Sequence, residues 1–151
     1  MNNETNVLLN LEEKLKQNLL LCLNEEKETY SKIDIKARTL AALGQLISEN
    51  GMLTPSQKEI VSIFDEVFAD ITISIYLAAC ALDRSAQSTL RRALELGVAI
   101  VYLWDLPHAF WSWKSHDADL NFNEMLEYLS KDGYKTFLNS LNSSYLKDDL
   151  F

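Results

Sequence analysis

Glycine and proline are scarce in this sequence, which has 4 glycines and 2 prolines among its 151 residues. An average protein carries about three times that share, roughly 12% of its residues. Tight turns between strands draw mainly on these two residue types, so their scarcity disfavours an all-β sandwich or barrel. The hydrophobic content of 48% is enough for one sizeable core, and the length fits one domain.

Cysteines and long hydrophobic runs are also few. Cys22 and Cys80 lie far apart in apolar helical surroundings, so we predict buried free thiols rather than a CxxC site or a disulfide framework. The longest uncharged runs, such as residues 71–82, are shorter than the about 20 residues that cross a bilayer. The opening residues lack the cationic start and the cleavage site of a secretory signal. These absences predict a cytoplasmic protein that does not span or bind a membrane.

Basic residues are outnumbered, with 14 Lys and Arg against 22 Asp and Glu, for a net charge of −8. The acidic excess is spread along the chain and forms neither a tail nor an arm. A protein that binds nucleic acid through its overall field should be basic, because affinity comes mainly from neutralising phosphates. Any binding of RNA or a nucleotide must therefore be confined to a local patch.

Apolar residues recur at helical spacing along most of the chain, as in the leucine series from Leu8 to Leu23. The clearest helix start has Thr54 as an N-cap, Pro55 at the first helical position and Gln57 at the capping-box position, and it predicts a helix to about residue 82. These patterns predict an all-α fold, a four-to-five-helix up-down bundle with short C-terminal helices. One of the short helices is predicted to begin at Asn121, with Glu124 three residues later.

The bundle is predicted to form a single domain over residues 1–151, with the part from about residue 131 at its periphery. Gly44 and Gly97 fall inside predicted helices and are expected to mark close helix crossings.

Residues 71–82 are apolar on every side of a helix. Such a segment is usually buried in the centre of a bundle or at a subunit interface, although its β-branched content also permits a strand. A second apolar cluster is aromatic and contains all three tryptophans. Core packing or an interface is favoured there over stacking on bases, because stacking platforms are normally set among basic residues. The interface candidates are Ile73, Tyr76, Leu77, Trp104, Trp111 and Trp113.

Arg84, Arg91 and Glu95 share one face of the predicted fourth long helix, and Arg92 lies roughly 100° away around it. Guanidinium groups on a helix that is mostly core are costly unless they are paired or face a cleft. One interpretation is a structural network in which Glu95 pairs with Arg91 and Arg84 is exposed. The other is a cleft that binds an anion or a phosphate, because the guanidinium fork suits phosphate oxygens.

His116 and Asp117 are adjacent, as in the metal-binding His-Asp pair of phosphohydrolases. That chemistry needs further ligands from distant positions, and the second histidine, His108, lies close by in sequence. The chain also has no Glu-x-x-His pair for a di-metal carboxylate site and no GxSxG nucleophile motif. We predict no metal and no cofactor, assign no catalytic residue, and keep His116 and Asp117 as second-rank candidates for the anion site.

The stretch SAQSTLRRALELGVAIVYLWDLPHAFWSWKSHDADLNFNEMLEYLS has an arginine-rich helix with an Arg-x-x-x-Glu step, followed by an aromatic and acidic segment. In this pattern residues 57–130 resemble prokaryotic HEPN-superfamily helical proteins, in particular an abortive-infection-like group. The resemblance implies an all-α bundle and a homodimer. In active members it also implies metal-independent RNA cleavage by an Arg-x4-6-His motif at the dimer cleft.

This chain departs from that motif, because the arginine nearest before His108 and His116 is Arg92. Either the chain lacks a later catalytic helix, or it is an inactive relative that works by binding. The leading hypothesis is a dimeric HEPN-like protein of a prokaryotic defence or toxin–antitoxin system. Its RNA or nucleotide site would use Arg84, Arg91, Arg92 and Glu95. The alternative is a non-catalytic module that binds another protein or a second copy of itself.

Overall fold

The computed structural model describes residues 2–49 and 51–145, and the side chains of residues 6–49 and 51–140. Within these ranges the only regular secondary structure is helical, so the all-α prediction is confirmed and the strand alternative for residues 71–82 is wrong. The helices are α1 (Asn2–Glu25), α2 (Lys27–Ser48), α3 (Pro55–Ala79), α4 (Asp83–Asp105), α5 (Pro107–Lys114), α6 (Phe122–Leu129) and α7 (Asp132–Tyr145).

Two helix starts follow from local sequence as predicted. The hydroxyl of Thr54 accepts a hydrogen bond from the backbone N–H of Gln57, whose side chain accepts one from the backbone N–H of Thr54. This reciprocal capping box begins α3. At α6 the side chain of Asn121 accepts hydrogen bonds from the backbone N–H groups of Asn123 and Glu124.

The central helix of the bundle is α3, which packs against α4 on one side and α2 on the other. In the described part of the chain, α2 and α4 do not contact each other. The short helix α5 packs against α3 and α4. Of the long helices, as far as the structure describes them, only α4 contacts α6. The innermost side chains come mainly from α3 and α4, with one each from α5 and α6: Ile60, Ile63, Phe64, Val67, Ala93, Ala99, Ile100, Leu103, Phe110 and Met125.

The first helix is less enclosed than its leucine pattern predicts. Leu15 and Leu19 are half-buried, whereas Leu8 and Leu11 on the same stripe are exposed. The second half of α1 lies on the bundle, where the side-chain amide of Asn18 donates a hydrogen bond to the backbone carbonyl of Cys80 at 3.4 Å. The leucine stripe is therefore a core face over only part of its length.

The two glycines inside helices differ from each other. A Cβ on Gly44 would lie 2.7 Å from Cβ of Phe64, so α2 and α3 cross closely there, as predicted. Among the described residues, no atom lies within 4 Å of a Cβ built on Gly97, so the prediction of a crossing at Gly97 is wrong for contacts between the described helices. The glycine lies on a side of α4 that no other described helix covers at this point.

Both α3 and α5 end in the same backbone turn. Each is followed by a residue with φ of 60°, Ala81 after α3 and His116 after α5. The backbone N–H of Leu82 donates to the carbonyl of Leu77, and that of Asp117 donates to the carbonyl of Ser112, each at 2.9 Å. These are Schellman motifs, in which a left-handed residue stops the helix. The first one ends α3 at Ala79, three residues before the predicted end.

The prediction of free thiols is confirmed for both cysteines, although only Cys80 is fully buried. Cys22 is half-buried, and its Sγ lies 2.9 Å from the hydroxyl of Tyr30 across the junction of α1 and α2. That hydrogen bond, followed by burial, raises the pKa of Tyr30 to about 12.

Candidate anion-binding cleft

A cleft of about 670 Å³ opens between α4 and the segment that leads from α5 into α6. We call it the arginine cleft. One wall is α4, whose helical period puts Arg91, Arg92 and Glu95 along the same opening. The opposite wall is formed by residues between the end of α5 and the start of α6: Trp113, Asp119, Asn121, Phe122 and Asn123.

Arg91 is held at one edge of its guanidinium group. Its Nε donates a hydrogen bond of 2.8 Å to Oε1 of Glu95, one turn later on α4. The side chain of Arg91 is 78% exposed, and among the described residues its two terminal nitrogens have no partner. The pairing with Glu95 that the sequence predicted is present, and it leaves the outer side of the guanidinium open to the cleft.

Arg92 is anchored from behind by two acidic residues of α3. Its Nε lies 2.8 Å from Oδ2 of Asp70, and a terminal nitrogen lies 3.8 Å from Oε2 of Glu66. The angle at the closer contact does not meet hydrogen-bond geometry, so Oδ2 of Asp70 is an ion-pair partner without a hydrogen bond. The Asp70 side chain is only 5% exposed. A buried carboxylate needs a nearby cation, and this requirement fixes Arg92 at the edge of the cleft.

The opposite wall is positioned by the start of α6. Asn121 cannot change its orientation freely, because its side-chain oxygen caps the helix and its side-chain nitrogen donates to Oε1 of Glu124 at 3.2 Å. Asn123 is the second residue of α6, and its side chain makes no hydrogen bond to the described residues. Trp113 and Phe122 contribute aromatic surface to the same cleft and also pack against the core.

The sequence did not predict this second wall. No spacing rule connects α4 with residues 119–123, because only the tertiary packing of α6 on α4 brings them together. The one local indication was the helix start at Asn121, which places polar side chains at a helix N-terminus.

Three of the other predicted site residues lie elsewhere. Arg84 is exposed on the first turn of α4 and does not line the arginine cleft. His116 lines a separate cavity of about 310 Å³ with Glu59 and Lys114, and Trp113 lines both cavities. The backbone roles of His116 and Asp117 in the Schellman motif of α5 account for this adjacent pair without a ligand.

The interface candidates divide into two groups. Ile73, Tyr76 and Trp111 expose about half of their surface, and the ammonium of Lys114 lies 5.5 Å from the ring centroid of Trp111. The remaining candidates, Leu77, Trp104 and Trp113, are half-buried. Residues 71–82 are therefore not buried all round, and one side of this part of α3 is available for contact.

The arginine cleft has the side chains to bind a phosphate-bearing ligand. Guanidinium groups bind phosphate oxygens, aromatic rings stack on bases, and amides bond to base edges. The two arginines are balanced by Glu95 and Asp119 in the lining, so the cleft is neutral in sum on a chain of net charge −8. Among the side chains described, no group of three His, Cys, Asp or Glu could hold a metal ion.

No protein-family model, no curated protein and no solved structure matches this chain. Among the described helices, none combines the length and the apolar character needed to cross a membrane.

Proposed function

We propose that this chain is a HEPN-like binding protein that takes the phosphate and base of an RNA strand or a free nucleotide in the arginine cleft. The observation that carries the proposal is the exposed guanidinium of Arg91 in a cleft whose opposite wall contains Asn123 and Trp113. Its Nε is held by Glu95, so the planar group is oriented before a ligand arrives. Orientation before binding reduces the entropy that is lost on binding.

The net charge of −8 favours a local mode of binding. A long nucleic-acid track needs a continuous basic surface, whereas one nucleotide needs only one or two phosphate contacts. The cleft supplies Arg91 for the phosphate, with Arg92 beside it already neutralised by Asp70 and Glu66. We therefore expect weak dependence of the affinity on salt, with a slope of about −0.7 for each phosphate contacted.

The proposed activity is binding without cleavage. In-line cleavage of RNA without a metal needs groups that give and take protons near the phosphate. The histidine that the HEPN motif supplies for this role is missing from the arginine cleft, since His116 faces a separate cavity and His108 is exposed on α5. We propose that the chain acts in the cytoplasm of a prokaryote, in a defence or toxin–antitoxin setting, and as a homodimer.

Titration of the protein with a labelled single-stranded RNA and with a nucleoside monophosphate, followed by fluorescence, tests the proposal. Arg91→Ala should weaken binding about tenfold or more, because a hydrogen-bonded contact to a charged group is lost. Arg84→Ala is the matched control, since Arg84 is an exposed arginine of the same helix outside the cleft. Equal affinities of the two variants, or no binding by the wild type, would contradict the proposed site.

The same titration separates an RNA site from a nucleotide site. Tighter binding of the strand than of the monophosphate indicates contacts beyond one nucleotide. Intact RNA after prolonged incubation with the wild type is the expected outcome. If the wild type cleaves RNA and Arg91→Ala abolishes the cleavage, the arginine cleft is a catalytic site and not only a binding site. If the substitution leaves cleavage unchanged, the reaction takes place elsewhere on the protein.

A second candidate function is an interaction module that binds another protein or a second copy of the chain. The observation that favours it is the exposure of Ile73 and Tyr76 on α3, in a segment that is apolar on every side. Tyrosine and large aliphatic side chains are typical of interface cores. Tyr76→Glu should abolish association if this face is the contact, as measured by light scattering, and a monomeric wild type at high concentration would remove the support.

A further inference from the structure

The side of α4 that carries Gly97 also carries a row of exposed apolar side chains. Leu90, Leu94, Gly97 and Val101 recur at steps of four, three and four, so they form one stripe along the helix. Leu90 is 53% exposed, Leu94 59% and Val101 42%. We call this row the outer α4 stripe.

Gly97 has no function within the chain that explains its place in the middle of α4. A glycine in the middle of a helix is less favourable for helix stability than an alanine. Gly44 offsets such a cost by allowing Phe64 to pack closely, whereas a Cβ on Gly97 would meet no atom of the described residues within 4 Å. A glycine between large apolar residues creates a notch, and a notch on an exposed apolar stripe lets a second helix approach closely.

The outer α4 stripe is self-complementary when two copies of α4 lie antiparallel. With the crossing at Gly97, Leu94 of one copy lies opposite Val101 of the other, and the reverse contact is the same by two-fold symmetry. Arg91 and Asp105 are two heptads apart and therefore flank the stripe on the same side. In the antiparallel arrangement each exposed Asp105 lies near the turn of α4 that carries Arg91 in the other copy, so charges of opposite sign lie at both ends of the contact while each Arg91 keeps its own partner Glu95.

The stripe continues into a second apolar surface on the same side of the bundle. Leu90 also lines a groove of about 520 Å³ between α2, α3 and α4, where Ile33, Ile71 and Ile75 contribute side chains. This groove exists because α2 and α4 flank α3 without contacting each other. A stable interface covers about 800 Å² on each partner, more than a single helix stripe offers. Through Leu90 the stripe adjoins this groove, whose lining is mostly apolar, and the two together offer a second copy a larger surface than the stripe alone.

We propose that the partner of the outer α4 stripe is the same stripe on a second copy of this chain, with the two α4 helices antiparallel and crossing at Gly97. This inference rests on the homodimer put forward above and specifies its contact surface. It differs from the α3 surface of Ile73 and Tyr76, whose positions on α3 are opposite the groove. It also places the dimer contact next to Arg91, on the edge of the arginine cleft.

Sedimentation analysis of three purified variants beside the wild type tests this surface. Leu94→Glu puts a charge on the stripe and should give a monomer, because two carboxylates would be buried at the crossing. Gly97→Leu fills the notch and should also give a monomer, although it removes a helix-destabilising glycine and meets open space in the single chain. Leu46→Glu is the matched control on α2, since Leu46 is 67% exposed and lies on neither the stripe nor the groove. It should remain dimeric.

The outcomes distinguish failure of this surface from failure of the homodimer itself. A wild type that is monomeric at high concentration contradicts both. If the wild type, Leu94→Glu and Gly97→Leu are all dimeric, the homodimer stands and the α4 contact is overturned. If only Leu46→Glu or Tyr76→Glu loses the dimer, the contact lies on another face of the protein. Circular dichroism of each variant checks that the helices are retained.

Discussion

Gly44 of α2 lies directly against Phe64 of α3, and this is the closest approach between two helices at any of the described glycines. A Cβ on Gly44 would lie 2.7 Å from Cβ and 2.9 Å from Cγ of Phe64. Phe64 is buried in the core, so its ring cannot move aside without disturbing its neighbours. The contact sets how closely α2 approaches α3, and the groove beside α3 depends on the same approach.

The contrast between Gly44 and Gly97 predicts that replacing glycine by alanine has opposite effects on stability at the two positions. Gly44→Ala should destabilise the fold by about 1–3 kcal/mol, because a methyl group is forced against Phe64. Gly97→Ala should stabilise the single chain by about 0.5–1 kcal/mol through helix propensity alone. Urea unfolding measures the two changes, with Gly97→Ala introduced into the monomeric Leu94→Glu variant so that the proposed dimer contact does not contribute. A neutral or stabilising Gly44→Ala would contradict the close approach of the helices.

The turn after α3 predicts a stabilising substitution. Ala81 occupies the left-handed position of a Schellman motif with φ of 60°, where glycine carries no penalty from a Cβ. Ala81→Gly should therefore stabilise the protein by about 1 kcal/mol. Ala78→Gly, three residues earlier within α3, should destabilise it by roughly 0.5–1 kcal/mol. Thermal unfolding compares the pair, and a loss of stability in Ala81→Gly would show that the turn is not formed.

The Arg92–Asp70 ion pair predicts a larger stability effect than the Arg91–Glu95 pair. Arg92→Met leaves the buried Asp70 carboxylate without its nearest cation and should cost about 1–3 kcal/mol, reduced from the usual value because Arg92 is 61% exposed. Arg91→Met removes an exposed pair and should cost roughly 0.5 kcal/mol or less. Adding Asp70→Asn to Arg92→Met should recover part of the loss. Equal costs for the two arginine variants in denaturant unfolding would contradict the buried role of Asp70.

The Cys22–Tyr30 contact predicts a pH dependence above pH 10. The pKa of Tyr30 is about 12 in the folded chain against an ordinary value of 10.0. The stabilising contribution of neutral Tyr30 is therefore fully present below pH 10 and is lost as the pH rises towards 12. Cys22→Ala removes the largest cause and should lower the pKa of Tyr30 towards its ordinary value. Near-ultraviolet titration of tyrosinate measures this change, and Tyr30→Phe identifies which ionisation belongs to Tyr30.

Local chemistry predicted several features that the structure confirms. The capping box at Thr54 needs only neighbouring residues, and so does the helix start at Asn121. The pairing of Arg91 with Glu95 also follows from helical spacing, since residues four positions apart share a face. The ends of helices were harder to predict. The end of α3 at Ala79 depends on a left-handed alanine, a conformation that sequence patterns assign to glycine.

By itself, the sequence of this protein determined the all-α class, the main helix starts and the arginine-bearing face of α4, because each depends on contacts within a few residues along the chain. The tertiary structure alone decided what faces that helix. The packing of α6 and α5 against α4 brought Asn123 and Trp113 to the wall of the cleft opposite Arg91, and α3 placed Asp70 behind Arg92. It also showed that a Cβ on Gly44 would meet Phe64, while one on Gly97 would meet no atom of the described residues within 4 Å. Helical periodicity gives the direction of a side chain, whereas its partner depends on how distant helices pack, a property that no local pattern encodes.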